Sequence, residues 1–484
     1  MRIKREVWIF LIVFVLALLM CMAFLQPHYT HDTYYIEVNG YAKYTAMNFL
    51  PEGRPITGLV MILAELINID IEVLGVISFV IAIAFLSLSV VLLYKIMTKD
   101  NKNKNISNQV ITLLVSFLII FNYLMIEHIY FLESSIMSLG ILLSVYACKV
   151  ITNNEKYKYF KSYLILLLAV FCYQGSIAIF PMIILTYFAI VEKCDWKTYI
   201  KLIIKLMLIY GSLMLINIMV TRFLFNGTRF EIGTISVTLT DIIATAKNLV
   251  VNSLNVLLPY MHIVIIALTL VILCVSKNSY PNKIQIITRY FIVVLASIAI
   301  CLTPAVVMSS LELQPRTCIA FGATIGISFW FMLDILENGY HKKVLKWTIF
   351  SIICIVSILN IALYFIITQQ HIRLNQLDRD ILNKVSEKIV QYEEDNGITI
   401  TKLAIVYDKN TKEYEDWVIK TPAYNIRGTA SWAARYAIEN YTKKDLIHIY
   451  PDKEVAISFL NKDWEEFSEE QIYMVNDTLY FCVY

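Results

Sequence analysis

From its first residues to about Phe365 the chain alternates long apolar runs with short polar, lysine-rich breaks. Runs of about 17–25 residues are what a helix needs to cross a hydrocarbon layer roughly 30 Å thick. The spacing predicts spans at 7–26, 72–95, 108–126, 131–150, 160–174, 176–191, 198–222, 246–276, 285–309, 317–336 and 345–368, about eleven in all. The run from Ile56 to Ile67 is too short to cross. Glu65 interrupts it and Asp70 and Glu72 follow, so an interfacial helix is expected behind the first span. Gln174-Gly175 and Pro181 break the stretch 160–191 into two short helices that meet at Gln174.

After residue 370 the period changes. Ile372, Leu377, Ile381, Val385 and Ile389 recur at helical spacing, and Ala433 to Ile438 reads as helix. Leu403 to Val406, Leu446 to Ile449, Val455 to Phe459 and Leu479 to Val483 read as strands. The expected fold is a polytopic all-α membrane protein with a small C-terminal α/β soluble domain. Residues 1–369 would form the membrane domain, including a first external loop at 27–71, and residues 370–484 an extracytoplasmic domain.

Composition agrees with this class: 58% of residues are hydrophobic and the mean hydropathy is +0.64, above the roughly 45–50% apolar content of soluble domains. Charge orients it. Lys and Arg collect on cytoplasmic loops, and the predicted inner loops are basic: Arg2 to Arg5, Lys95 to Lys104, Lys149 to Lys161, Lys193 to Lys201, Lys277 to Lys283, and Lys342-Lys343. The N-terminus is therefore expected in the cytoplasm and the acidic tail outside, in a multi-pass plasma-membrane protein. These lysines are scattered beside spans instead of forming one stripe, so the partner is a lipid bilayer and not nucleic acid. The nine cysteines include no CxxC pair, so neither a metal site nor a disulfide framework is indicated. The basic N-terminus and apolar Val7 to Leu25 read as a retained first helix, since no small-residue cleavage pattern follows.

The candidate chemistry lies at the predicted outer ends of the spans. A polar island, His31-Asp32-Thr33-Tyr34-Tyr35, is followed by Gly53-Arg54-Pro55. Glu127, His128 and Glu133 fall in the second outer loop, Gln174 in the third, Arg222, Arg229 and Glu231 in the fourth, and Glu312 and Arg316 in the fifth. Ionisable groups at a membrane edge are costly and mark function by default. Each has a plainer reading: Asp32 as a helix N-cap, Arg54-Pro55 as an interfacial anchor, Gln174 as a partner for freed backbone at a helix break, Arg316 as a snorkelling end residue. His28 and His31 lack the carboxylate spacing of a metal site.

An external Asp, an interfacial helix behind it, many spans and an external α/β tail resemble the glycosyltransferase C class, which uses lipid-phosphate-linked sugars. Within it, His31-Asp32-Thr33 followed by Gly53-Arg54-Pro55-Ile56-Thr57 resembles the bacterial Gtr type II glucosyltransferase family, as do Tyr173-Gln174-Gly175-Ser176 and Pro315-Arg316. The resemblance implies a hexosyltransferase that moves glucose from a polyprenyl-phosphate donor to a surface polysaccharide or lipid-linked glycan, such as O-antigen or capsule. Asp32 would be the catalytic base. Arg54 and Arg316 would meet the donor phosphate, and Glu133, Gln174 and His31 would complete substrate binding. No cofactor is expected. Many family members carry two adjacent acidic residues where this chain has His31-Asp32, which leaves a divalent metal open.

Three other classes fit a polytopic chain, one of them a structural or receptor protein, for which nothing in the tail specifies a partner. A flippase or transporter for lipid-linked oligosaccharide would show inverted repeats and midplane charges, and this chain shows neither. A polysaccharide polymerase would not require the soluble tail.

Overall fold

The computed structural model describes residues 5–98, 106–153, 156–227, 238–275, 283–307, 313–338, 343–407, 428–429, 432–462, 464 and 467–483. Arg229, Glu231 and Glu312 lie outside them. The chain forms two compact units. The first holds 1–22, 46–60 and 77–365, the second 23–45, 61–76 and 366–484.

The first unit is helical. Among the described residues, six helices are long and apolar enough to cross a bilayer: Ile71–Met97, Ser134–Thr152, Trp196–Phe225, Lys283–Thr303, Ile319–Leu336 and Lys343–Asn396. A seventh is possible in composition if Ser107–Ile120 and Tyr123–Tyr130, bent by 55°, count as one. These helices are compatible with a membrane.

The remaining expected spans are shorter or broken, for local reasons. The stretch 160–191 divides into Lys158–Cys172 and Ile179–Ile190, with Tyr173 extended and a tight turn at Gln174–Ala178. Around 246–276 the chain breaks at Ser253 to Asn255, where Leu254 takes φ +55°, so Leu239–Asn252 and Met261–Val275 are separate helices. The bend after Ile120 is sealed by polar groups. Asn360 Nδ2 donates to the Phe121 carbonyl at 2.7 Å and Tyr364 Oη to that of Asn122 at 2.9 Å, supplying partners to backbone groups that leave the helical ladder. The expected interfacial segment is the helix Pro55–Leu66.

The second unit carries a four-stranded sheet of order β2-β1-β4-β3, from β1 (Lys402–Tyr407), β2 (Ile447–Ile449), β3 (Ile472–Val475) and β4 (Thr478–Val483). β1 pairs parallel with β2 and β4, and β3 antiparallel with β4. Alternate residues serve opposite faces. Leu403, Ile405, Leu479 and Phe481 pack with Leu382, Val385, Ala437 and Ile438, while Ala404, Val406, Tyr480 and Cys482 pack with Phe459 and Trp464. With both faces covered, β1 and β4 are apolar at nearly every position. Val455 to Phe459 is not the strand its apolar run suggests. It lies in the helix Lys453–Leu460, started by Asp452, whose carboxylate accepts from the Glu454 N–H at 2.8 Å. β3 lies outside the expected strands.

The segment bearing Asp32 packs within this second unit. Tyr34 enters its core, and its ring lies so close to Gly428 that a Cβ there would come within 2.2 Å of it. Asp378, fully buried, accepts from the backbone N–H groups of Gly428 at 2.7 Å and Thr429 at 3.0 Å.

Candidate active site

Asp32 sits in the first turn of the helix His31–Asn39. It does not cap that helix. The N-cap is Thr30, whose N–H donates to Thr33 Oγ1 at 3.1 Å, the two hydroxyls lying 3.0 Å apart. Upstream, the Asn375 amide brackets Tyr29, donating to its carbonyl at 3.0 Å and accepting from its N–H. The Asp32 carboxylate is half-buried and has no hydrogen-bond or ion-pair partner among the described residues. His31 presents its ring edge-on to Trp432 at 6.1 Å, and Tyr35 packs on Tyr436 at 4.6 Å. Tyr29 donates to Glu72 at 3.1 Å; burial, then the negative charges of Glu37 and Glu72, hold its phenol well above its ordinary pKa. His28 stacks on Phe24 at 4.2 Å. Among the described residues no group of three or more His, Cys, Asp or Glu is placed to hold a metal.

In the first unit, Arg54, Glu133, Gln174 and Arg316 gather around one turn. Arg54 follows Gly53, which adopts φ +77°, a conformation that suits glycine. Asn217 Nδ2 and Gln174 Nε2 donate to the Gly53 carbonyl at 2.8 and 3.1 Å, and Gln174 Nε2 also reaches Asn217 Oδ1 at 3.1 Å and the Glu52 carbonyl. A Cβ on Gly53 would meet Thr221 Oγ1 at 2.5 Å. Thr57 Oγ1, one turn on, donates to the Cys172 carbonyl at 2.8 Å.

The turn aims the Arg54 guanidinium inward. Nη2 meets Glu52 at 2.9 Å and Nη1 lies 3.6 Å from Glu133, with the guanidinium 4.8 Å above the Tyr173 ring centre. Arg316, entering from the turn Pro315–Thr317, binds Glu127 twice: Nη1 to Oε1 at 2.6 Å and the backbone N–H to Oε2 at 2.7 Å. Its guanidinium sits 4.8 Å over Phe131. Glu127 and Glu133 are nearly inaccessible, so their charges depend on these partners. With every group ionised, two arginines face three glutamates, a formal charge of −1. This is no bare cation site, and an incoming anion must take a guanidinium from a carboxylate.

Asn217, Glu52, Glu127, His128 and Tyr173 belong to this constellation but not to the residues expected to bind substrate. Asn217 had a legible signal, an amide inside a long apolar run. Glu52 stands among the ionisable groups of the first outer loop, but its pairing with Arg54 depends on the turn. Arg222 lies in the last turn of the helix Trp196–Phe225.

Fold and site together define a predominantly helical protein, compatible with a bilayer, that concentrates paired and buried charge around one glycine turn. The chain belongs to the glucosyl transferase GtrII family, whose model matches residues 21–333, and the family implies glucosyltransferase activity. The match includes Asp32 and the whole arginine–carboxylate cluster and ends before the sheet. No curated protein matches the chain.

Proposed function

We propose that this protein transfers glucose from a polyprenyl-phosphate-linked donor to a surface polysaccharide or lipid-linked glycan on the external face of the plasma membrane. In this reading residues 1–369 are the membrane domain, with about eleven crossings, and the tail is extracytoplasmic. The observation that carries it is the paired cluster of Arg54, Arg316, Glu52, Glu127 and Glu133 in a chain of this family. A sugar phosphate suits such a cluster: the phosphate takes over a guanidinium, whose planar fork matches its oxygens, and the released carboxylate accepts from a sugar hydroxyl. Glu133 is assigned to that hydroxyl, and Gln174 to holding the turn that aims Arg54.

Asp32 is assigned the proton of the acceptor hydroxyl. Its support is an unpartnered carboxylate on a helix already capped by another residue. His31, edge-on to Trp432, is assigned to the acceptor sugar.

Purified protein incubated with polyprenyl-phosphate glucose and isolated surface glycan tests the reading. Glucose should move to the glycan. Transfer from a nucleotide sugar, with none from the lipid-linked donor, would overturn it.

A further inference from the structure

His128 is fully buried beside the cluster, and neither of its ring nitrogens has a hydrogen-bond partner among the described residues. Its ring stands edge-on to Tyr173, with centroids 5.2 Å apart and planes at 89°; the Arg54 guanidinium lies over that same Tyr173 ring. One atom of Arg54 is also buried and unpartnered, Nε, while both η nitrogens face carboxylates. Buried polar atoms nearly always have partners, so three orphans against one tyrosine call for an explanation.

What the orphans are selects the ligand. Burial, then the charges of Arg316 and Arg54, keep the His128 imidazole neutral, with one N–H and one lone pair. Together with the N–H of Arg54 Nε, the protein leaves two donors and one acceptor unsatisfied. A phosphate oxygen accepts only, so it offers nothing to the ring nitrogen that carries a lone pair. A hydroxyl both donates and accepts, so it can meet one His128 nitrogen in either tautomer and accept from Arg54 Nε as well, and it adds no charge.

We infer that His128, with Arg54 Nε, hydrogen-bonds a hydroxyl of the donor hexose and so sets which sugar the protein accepts. This rests on the reading above, in which the cluster holds the sugar-phosphate head of a lipid-linked donor. His128 is then a specificity-determining contact, reading one position of the ring, while the arginines hold the phosphate. A site built to bond a hydroxyl rejects the analogue lacking it by up to about 10⁴–10⁵-fold.

The test couples residue to ligand. kcat/KM is measured for polyprenyl-phosphate glucose and for its monodeoxy analogues, one per hydroxyl, with wild type, His128→Phe and His128→Gln. Wild type should lose at least about tenfold on one deoxy donor, and His128→Phe should narrow that gap at least about threefold, because the hydroxyl keeps only Arg54 Nε as a partner. His128→Gln, which keeps a donor and an acceptor, should restore part of the discrimination. If His128→Phe discriminates among the deoxy donors as wild type does, the residue is only packing and the proposal falls. Should His128→Phe not fold, as judged by its thermal transition, His128→Ala is read against the same donors with the same two outcomes. Wild type inactive on polyprenyl-phosphate glucose would instead bring down the donor reading, and this inference with it.

Discussion

Asn217 Nδ2 holds the carbonyl of Gly53 at 2.8 Å across 164 residues of sequence. One amide in a long apolar helix thereby fixes the turn from which Arg54 points into the cluster. Gln174 makes the second contact to the same carbonyl, so the turn is held from two separate elements.

Removing the clamp should loosen Arg54 without unfolding the protein. Asn217→Ala leaves Gln174 on the carbonyl and should cost about 0.5–1.5 kcal/mol, the net value of one hydrogen bond. Asn217→Asp should cost more, because it aims a carboxylate at the carbonyl. Gly53→Ala should add about 1–2 kcal/mol of backbone strain at φ +77° and push aside Thr221 and Asn217. Thermal midpoints in detergent rank the three, and donor KM should rise in the same order.

Glu127→Gln should be more damaging than its conservative appearance suggests. The carboxylate accepts from both the backbone N–H and Nη1 of Arg316, and an amide can accept only one of these. The expected loss is about 1.5–3 kcal/mol, as for a hydrogen bond to a charged group; the partial exposure of Arg316 keeps it below the figure for a fully buried pair. Chemical denaturation of the variant checks this, with Glu133→Gln for comparison.

Asp32→Asn should abolish transfer and leave stability near wild type. Thr30 and Thr33 make the cap, so the helix does not need the carboxylate. Losing a general base lowers turnover about 10²–10⁴-fold. Turnover above about a third of wild type, with normal donor binding, would take Asp32 out of this role.

The tail should show an acid limb centred on Asp477. Hydrogen bonds from Lys402 and Thr401, together with the Lys402 charge, hold its carboxyl below the usual range. A carboxyl depressed in the folded state binds its proton more weakly than in the unfolded chain. Its stabilisation is present above the unfolded value near 3.9 and fades as pH falls through the lower folded value. Protection factors of the β1 and β4 amides, which correct for the intrinsic slowing of exchange in acid, should fall less steeply from pH 6 down to about 3 in Asp477→Asn than in wild type.

The orientation assigned to the chain is open to a labelling test. Tyr450 is 94% exposed and Tyr157 68%. With exposed Cys274 first replaced by Ser, a cysteine at Tyr450 should react with a membrane-impermeant thiol reagent in intact cells and one at Tyr157 should not. The reverse pattern would put the tail in the cytoplasm and remove the external transfer reading.

By itself the sequence determined the helical class, the apolar segments, the family resemblance and the small sheet near the C-terminus, because periodicity, run length and short motifs are local properties. It also marked Arg54, Glu133, Gln174 and Arg316, through the rarity of charge and amide groups next to apolar runs. Where partners come from far along the chain, only the tertiary structure decided. Val455 to Phe459 is apolar enough for a strand, but it is a helix packed on one face of the sheet, against Ala404, Val406 and Tyr480. Gln174 reads as a substrate ligand, and only the structure shows that its Nε2 also holds the Glu52–Gly53 turn. Asp32 reads as a cap until Thr30 is seen to do that work. The carboxylates that pair each arginine and the unpartnered nitrogens of His128 depend on which side chains folding brings within about 3 Å of one another, and spacing along a chain does not encode that distance.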